Sequence, residues 1–396
     1  MKKNITILYS LVFAIFPILS QYKLMRGVDI GLLLMVLIGA LAFFTLKKVY
    51  IEKNSLRLIF FIYLHSLLIL FIAPIYLDKV IIIKHLIFFA IYYYVLIISI
   101  NILDREYFYK CYKAIAIIIV LILYYQAFTC FITGNTFTNK YIYYINIGNR
   151  FSSVFNEPTA FAAYLIPLLI ISMERHEIIF SSFLVIALIL STSSLGILSC
   201  FFIIFYNLLK NINHRRKSKK FKNILYSISL IIIVFFITFQ FFYSDFYSFA
   251  RNKIVNIDYK EDVRFSKGPI IYYLTSLTGK IFGVGIGNIA NYCRAKGIFL
   301  PYKAEGFYSA EGSEYMNAIP YSFLAFGIIG GILFLLQIFN LFKIIDKDYK
   351  IMPFIFLFLM LVTSMFYGST FVFIISSVYL YSDKKKISKY ILSFTK

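Results

Sequence analysis

Two long apolar stretches limit what this chain can fold into. Residues 178–209 contain no charged side chain over 32 residues, and residues 352–382 contain none either. About 20 apolar residues suffice to cross a bilayer as a helix. The hydrophobic set makes up 61% of the 396 residues, whereas soluble domains have about 45–50%. This composition excludes a soluble enzyme, a disordered chain and a disulfide scaffold, and it predicts an all-α polytopic membrane bundle.

The apolar segments predict twelve transmembrane helices in a single membrane domain, 1–396. This number requires that 178–209 breaks at Ser191–Ser194 and that 352–382 breaks near Gly368. The predicted spans are 5–20, 28–46, 57–77, 80–101, 113–133, 158–173, 178–191, 194–209, 224–243, 317–341, 352–366 and 369–382.

The basic residues predict the orientation of these helices. The net charge of +22 would suggest nucleic acid in a soluble protein, but here Lys and Arg lie mostly between apolar runs, so we expect no nucleic-acid partner. With both long stretches broken, every strongly basic loop falls on one side, including the basic loop 210–223. Because cytoplasmic loops are enriched in Lys and Arg, both termini are predicted to be cytoplasmic. No small-residue cleavage site follows the first apolar run, so it is predicted to remain as a span.

Two loops are then predicted to lie on the opposite, outer side. They are 134–157 and the much longer 244–316. The longer loop contains the apolar runs Ile270–Leu277 and Ile281–Ile289, which are too short to cross and suit interfacial or re-entrant segments. Long loops on a rigid scaffold often carry function, so candidate site residues are sought here.

The segment that leads from the first outer loop into the sixth span is the most informative one. It reads Asn149-Arg150-Phe151-Ser152-Ser153-Val154-Phe155-Asn156-Glu157-Pro158, followed by small residues that include Ala162. Asn156 suits a helix N-cap, and Glu157 and Pro158 suit a first turn. The small residues permit close helix packing. Helix entry and a functional site explain this segment equally well.

This segment resembles the Arg-x-x-Gly-x-Phe-x-Glu-Pro signature of the O-antigen polymerase and ligase superfamily. Three further segments resemble that superfamily in the same order: the Ser/Thr-rich turn 191–196, Arg264 followed by the glycine-rich 281–288, and the helix from Asn317 to Gly330. The chain departs from the pattern at three positions. Ser153 stands where the family has Gly, Leu195 where an Arg is often found, and Met316 where ligases have a His. The missing His favours polymerase over ligase.

The resemblance implies glycosyl transfer at the outer face of a bacterial inner membrane. The expected partners are an undecaprenyl-diphosphate-linked glycan donor and acceptor, membrane lipids and a polysaccharide chain-length regulator. No DxD motif lies in an outer loop and no His lies there, so no metal site and no cofactor are predicted. Arginines can stabilise the leaving diphosphate instead, because the guanidinium fork pairs with phosphate oxygens.

The candidate site residues follow from these considerations. Arg150 and Arg264 lie in matched segments and are predicted to bind the diphosphate, although both also suit solvated loop charges. Glu157 is predicted to orient Arg150 or to act as a base, and Glu314 is a candidate base by position alone. The predicted substrate-binding residues are Arg251, Arg294, Asn288 and Asn317.

Other assignments remain open at this point. A flippase for lipid-linked sugars has a similar number of spans, but it does not need a long outer loop, and its ionisable residues would line a central cavity. An O-antigen ligase and a non-catalytic assembly protein are further alternatives. His65 and Gln126 lie inside predicted spans and are expected to be hydrogen-bond partners between helices.

Overall fold

The computed structural model describes residues 2–25, 28–133, 151–213, 263–298, 316–362, 366–383, 386–387 and 389–393. Within these ranges the helices are α1 (Lys2–Leu19), α2 (Ile30–Phe43), α3 (Lys53–Ile72), α4 (Lys79–Ile102), α5 (Arg105–Thr133), α6 (Pro158–Glu174), α7 (Ile178–Leu190), α8 (Ser194–Asn213), α9 (Val263–Leu274), α10 (Leu277–Phe282), α11 (Ile289–Ala295), α12 (Ala318–Ile344), α13 (Ile351–Val362) and α14 (Ser369–Leu380). The predicted span 224–243 lies outside the described residues.

The described helices identify a helical membrane protein. Four of them, α3, α4, α5 and α12, are long and apolar enough to cross a bilayer, and six shorter apolar helices accompany them. Each predicted span within the described ranges coincides with a helix, to within a few residues at most ends. The number of crossings and the side of each terminus stay predictions.

Both breaks predicted in the long apolar stretches are present. Helix α7 ends at Leu190, and Thr192 then takes a left-handed φ of 53° before α8 begins at Ser194. Helix α14 begins after Gly368, whose φ is 137°. One expectation was incomplete, because the chain is not purely helical. Strand β1 (Lys23–Met25) pairs with β2 (Val28–Asp29), and β3 (Lys48–Glu52) pairs antiparallel with β4 (Lys389–Ser393).

The chain divides into two compact units. Unit 1 contains Met1–Phe16, Leu32–Arg105 and Asp258–Lys396, and unit 2 contains Pro17–Gly31 and Glu106–Ile257. This division does not test the predicted single membrane domain, 1–396, which stays a prediction.

Helix α4 runs between two ends of unit 1 over 24 residues, about 36 Å. At one end Asn101 accepts a hydrogen bond from the backbone N–H of Tyr50 in strand β3, which carries Lys48 and pairs with β4. Arg105 lies at this end too and pairs with Asp346 at 2.8 Å. At the other end Asp78 caps the start of α4. Strand β3 and the Arg105–Asp346 pair therefore lie at the end of α4 away from Asp78.

One end of unit 2 holds three ion pairs, Lys113–Glu177, Arg175–Glu106 and Lys210–Glu174. Helix α6 packs on α7 and α8, and Tyr112 of α5 donates a hydrogen bond to the carbonyl of Tyr164 in α6. The start of α6, with the segment that precedes it, lies at the opposite end of this helix from the ion pair of Glu174.

Candidate functional site

In unit 2, the segment before α6 is held in an unusual backbone conformation. Ser153 has a φ of 56°, in the left-handed region that favours glycine. The Gln126 side chain of α5 accepts from the Ser153 N–H at 2.9 Å and donates to the Ser153 carbonyl at 2.9 Å. The Ser153 hydroxyl donates to the Ile119 carbonyl at 2.7 Å. The structure thus gives a conformational reason why glycine suits this position. Gln126, expected to be a hydrogen-bond partner between helices, instead bonds the backbone of the non-helical segment before α6.

The helix entry differs from the sequence prediction. Glu157, not Asn156, is the N-cap of α6, with Pro158 in the first turn. The prediction was wrong by one residue. The first carbonyl that accepts helical hydrogen bonds belongs to Glu157, not to Asn156, and it accepts from the N–H groups of Ala160 and Phe161. The Glu157 carboxylate makes no capping hydrogen bond. Helix capping therefore does not account for this acidic side chain.

Close packing anchors the same segment. Phe155 is buried against the rings of Phe161 and Tyr164. A Cβ placed on Gly196 of α8 would lie 3.2 Å from Ala162 Cβ, so the small residues behind the motif do permit close approach of two helices. Two segments that resemble the superfamily, the one before α6 and the Ser/Thr-rich turn, are therefore packed together in unit 2.

In unit 1, the glycine-rich segment enters a break in α12. The break is at Gly327, which has a φ of 69° and a ψ of −171°. The Val284 N–H donates to the Leu324 carbonyl at 2.8 Å, and the Gly285 N–H donates to the Ala325 carbonyl at 3.0 Å. Backbone groups freed by a broken helix must find such partners inside a membrane protein. Whether Ile281–Ile289 is an interfacial or a re-entrant segment stays a prediction.

The glycine-rich segment and the break in α12 lie too close together to leave room for a side chain at Gly283 or Gly327. A Cβ on Gly283 would lie 2.5 Å from the Gly327 nitrogen, and both residues have a positive φ. His65 of α3 donates from Nε2 to the Phe282 carbonyl, as expected for an inter-helix partner. Gly327 is the tenth residue of α12, about 15 Å from its start, so this polar backbone lies well inside the helix bundle.

Asn288 fastens the glycine-rich segment to the start of α4. Its Oδ1 accepts from the Asp78 N–H at 2.8 Å, and its Nδ2 donates to the Ile286 carbonyl at 3.2 Å. The side chain is fully buried. Asn288 therefore has a structural role, and its predicted contact with substrate stays a prediction.

Lys267 is a buried cation that the sequence analysis did not select. It lies on α9, one helical turn after Arg264, and its exposed fraction is 2%. Burial lowers the pKa of the Lys267 ammonium to about 8, partly offset by the nearby Cys293 thiol, and burial raises the pKa of Cys293 to about 11. A lysine followed by Gly268-Pro269 at the start of a short apolar run was the available signal.

Asn317 lies beside the segment that carries Lys267. A Cβ on Gly268 would lie 2.5 Å from Pro320 Cβ, so α9 contacts the first turn of α12 directly. Asn317 is the N-cap of α12 but makes no capping hydrogen bond. It is 4% exposed, and its Oδ1 has no hydrogen-bond partner among the described residues.

The remaining predicted site residues are placed only in part. Arg294 is exposed in the last turn of α11, where it donates to Asn291 Oδ1 at 3.4 Å. Arg264 lies in the first turn of α9. Arg150, Arg251 and Glu314 lie outside the described residues. Among the described residues no group of three or more His, Cys, Asp or Glu side chains is arranged to hold a metal ion.

Comparison with known proteins gives no match. No protein-family model, no curated protein and no solved structure is similar to this chain at a significant level. The residues and their geometry are therefore the basis for assigning a function.

Proposed function

We propose that this protein is a glycosyltransferase that polymerises undecaprenyl-diphosphate-linked oligosaccharide repeat units at the outer face of a bacterial inner membrane. The product is O-antigen or a related surface polysaccharide. One observation carries the proposal. The glycine-rich segment and the first half of α12, which resemble the superfamily separately in sequence, form one structural element through the hydrogen bonds of Val284 and Gly285.

The location of this element supports a lipid-linked substrate. It lies at the end of unit 1 where Asp78 caps α4 and contacts Asn288, and α9 and α10 expose Tyr273, Leu277 and Phe282 nearby. Aromatic and aliphatic side chains exposed on short helices suit the boundary between lipid and water. A lipid carrier can present its diphosphate at this boundary while its hydrocarbon chain remains in the bilayer.

The proposed chemistry needs positive charge beside the leaving diphosphate, and arginine side chains can supply this charge without a metal ion. An acceptor hydroxyl attacks the anomeric carbon of the donor glycan, the bond from that carbon to the diphosphate oxygen breaks, and the acceptor proton passes to a base or to water. Negative charge then accumulates on the leaving lipid diphosphate. Arg150 and Arg264 are the proposed stabilising groups, and Glu157 is the proposed orienting group or base. Its carboxylate is free of a capping role.

A transporter is the second candidate, because broken helices are frequent at the substrate sites of transporters. The glycan on cells that lack this gene separates the two candidates. A lipopolysaccharide gel with a single repeat on the core supports a polymerase, since export and ligation still occur. A gel with no repeat at all indicates a flippase or a ligase and contradicts the polymerase proposal.

A reconstituted reaction tests the enzyme directly. The purified protein in proteoliposomes should lengthen lipid-linked repeat units, and it should continue to do so in EDTA. Activity that disappears in EDTA and returns with Mg²⁺ or Mn²⁺ would contradict the metal-independent mechanism. The complete absence of lengthening with the native repeat unit would contradict the polymerase proposal itself.

A further inference from the structure

The geometry points to His85 as the general base that takes the proton of the acceptor hydroxyl, with Tyr367 as the residue that orients the His85 ring. This inference rests on the proposed function, because it assigns a residue to that reaction. His85 lies in α4 and Tyr367 lies between α13 and α14, and neither belongs to a segment that resembles the superfamily. Glu157 is then left with the orienting role.

The His85 ring lies against the end of the glycine-rich segment. His85 is in the second turn of α4, about 9 Å from the start of that helix. A Cβ on Gly287 would lie 2.6 Å from His85 Nε2. The edge of the imidazole that carries Nε2 therefore packs beside the backbone of Gly287, where a residue with a side chain would overlap it.

The backbone at this end of the segment is fixed from two other directions. The Gly287 N–H donates to the Tyr321 hydroxyl of α12 at 3.3 Å. The next residue, Asn288, accepts from the Asp78 N–H at 2.8 Å at the start of α4. Because α4 and α12 both hold the segment here, an acceptor sugar bound against it would meet His85 in a constant geometry, as a general base requires.

The other ring nitrogen of His85 has a defined partner. His85 Nδ1 is hydrogen-bonded to the Tyr367 hydroxyl, and the two rings are nearly perpendicular, with an interplanar angle of 89°. In the proposed tautomer Nδ1 carries the hydrogen and donates it to Tyr367, so that Nε2 holds a lone pair. Within the described part of the chain His85 makes no second hydrogen bond, so this lone pair is available to accept a proton.

Packing holds Tyr367 in place to orient the imidazole. Its ring contacts those of Phe89 and Tyr92 in α4, with centroids 6.0 Å and 6.1 Å away. The preceding residue, Phe366, is buried against Phe334 of α12 at a centroid distance of 4.7 Å. An imidazole with one nitrogen bonded to a fixed hydroxyl and the other beside the glycine-rich segment has the arrangement of a positioned base.

The proton transfer completes the proposed reaction. His85 is half-buried, so its ring is not sealed within unit 1. As the acceptor oxygen bonds the anomeric carbon, the acceptor proton passes to His85 Nε2. The bond from that carbon to the diphosphate oxygen breaks, and both electrons stay on the oxygen. The imidazolium keeps its hydrogen bond to Tyr367 and later releases the proton to water.

The test measures glycan lengthening by the full-length protein in proteoliposomes with its native repeat unit. His85→Asn keeps a polar atom next to Cγ, where Nδ1 stands, so it can still bond Tyr367, but it has no basic nitrogen. Its melting temperature and KM should stay near those of wild type, whereas kcat should fall on the order of 10²–10⁴-fold. A wild-type kcat in His85→Asn overturns the proposal.

The matched control is His176→Asn. His176 is exposed in the turn between α6 and α7, and asparagine tolerates the left-handed φ of 57° found there. This variant should leave both kcat and the melting temperature unchanged. An equal loss of kcat in His176→Asn and His85→Asn would show that the loss is not specific to His85 and would overturn the assignment.

Chemical rescue separates a base from a structural residue. His85→Gly leaves space beside Gly287, and added imidazole should restore part of the rate in proportion to its concentration, because it supplies the missing base. A structural contact cannot be replaced in this way, so a rate that imidazole leaves unchanged overturns the proposal. Tyr367→Phe keeps the ring packing and should lower kcat less than His85→Asn does. An unchanged kcat in Tyr367→Phe overturns the pairing, even if the His85 variants fail to fold.

The same assay separates this inference from the proposed function. Lengthening by wild-type protein, together with full activity of His85→Asn, rejects the base and retains the polymerase. Wild-type protein that lengthens no glycan from its native repeat unit rejects the polymerase, and the base with it.

Discussion

Gln126 holds Ser153 with both ends of its side-chain amide. The oxygen accepts from the Ser153 N–H and the nitrogen donates to the Ser153 carbonyl, each at 2.9 Å. This arrangement resembles a pair of strand hydrogen bonds, but it joins α5 to a segment that has no helical partners. It fixes a left-handed residue four positions before the N-cap Glu157, in the segment through which the chain enters α6.

We predict that Gln126→Leu lowers both stability and activity. The substitution keeps the approximate volume but leaves two buried backbone groups of Ser153 without partners, at about 1–3 kcal/mol each. The melting temperature in detergent should fall by several degrees, and glycan lengthening should fall with it. Thr129→Val on the same helix removes a hydroxyl that donates to the Tyr125 carbonyl of its own helix, and it should change neither quantity appreciably. Equal melting temperatures for Gln126→Leu and wild type would contradict this role.

Ser153 offers a matched pair of substitutions. Both Ser153→Gly and Ser153→Ala lose the hydroxyl bond to Ile119, but only glycine adopts the φ of 56° without strain. The alanine variant should therefore be less stable than the glycine variant by about 1 kcal/mol. Comparison of their unfolding midpoints checks this difference, and a more stable alanine variant would exclude a left-handed Ser153.

Gly327 should not tolerate any side chain. A Cβ there would overlap the Ile281 carbonyl, and the positive φ adds strain. Gly327→Ala should thus displace the glycine-rich segment and abolish glycan lengthening. Gly297→Ala is the control, because Gly297 also has a positive φ, 61°, but its Cβ would have no atom within 4 Å. It should lose only about 1 kcal/mol and remain active. Equal activity of the two variants would show that the close approach is unimportant.

The sequence predicts the helices well because long apolar runs and charged loops are local signals. Even the break after Leu190 was predictable, since serine and threonine accumulate there and the charge pattern requires a turn. The hydrogen bonds between the glycine-rich segment and α12 were not predictable, because they join residues about 40 positions apart. The break at Gly327 was not predictable either, because the sequence around it is that of an ordinary helix with small residues. Lys267 was missed for a similar reason, since its burial depends on α12 packing against Gly268.

The predicted orientation can be tested by cysteine labelling in a variant without native cysteines. The basic run Arg215–Lys220 is predicted to be cytoplasmic, and Lys140 is predicted to lie in the first outer loop. In sealed cells a membrane-impermeant thiol reagent should label Lys140→Cys and leave Ser218→Cys unmodified until the membrane is opened. Labelling of Ser218→Cys in sealed cells would rule out the twelve-span arrangement with both termini inside.

Arg150 and Arg264 test the proposed mechanism most directly. If they bind the leaving diphosphate, their hydrogen bonds strengthen as that group gains charge, so they stabilise the transition state more than the bound substrate. Removal of one such contact should lower the rate on the order of 10²–10³-fold, as for a lost oxyanion-hole donor. Arg→Lys should also be impaired, because it keeps the charge but loses the bidentate fork.

The measurement is the lipopolysaccharide ladder at matched protein level, together with the rate in proteoliposomes. Arg150→Ala or Arg264→Ala should leave the protein in the membrane at normal abundance and give core with one repeat and no ladder. Glu157→Gln should give the same result if Glu157 orients Arg150, since the amide keeps the size of the side chain and removes its charge. Arg294→Ala is the comparison on α11, where the arginine is exposed and bonds Asn291, and it should have a smaller effect. Full-length ladders from both Arg150→Ala and Arg264→Ala would exclude the arginine mechanism, because a group that stabilises the leaving diphosphate cannot be dispensable.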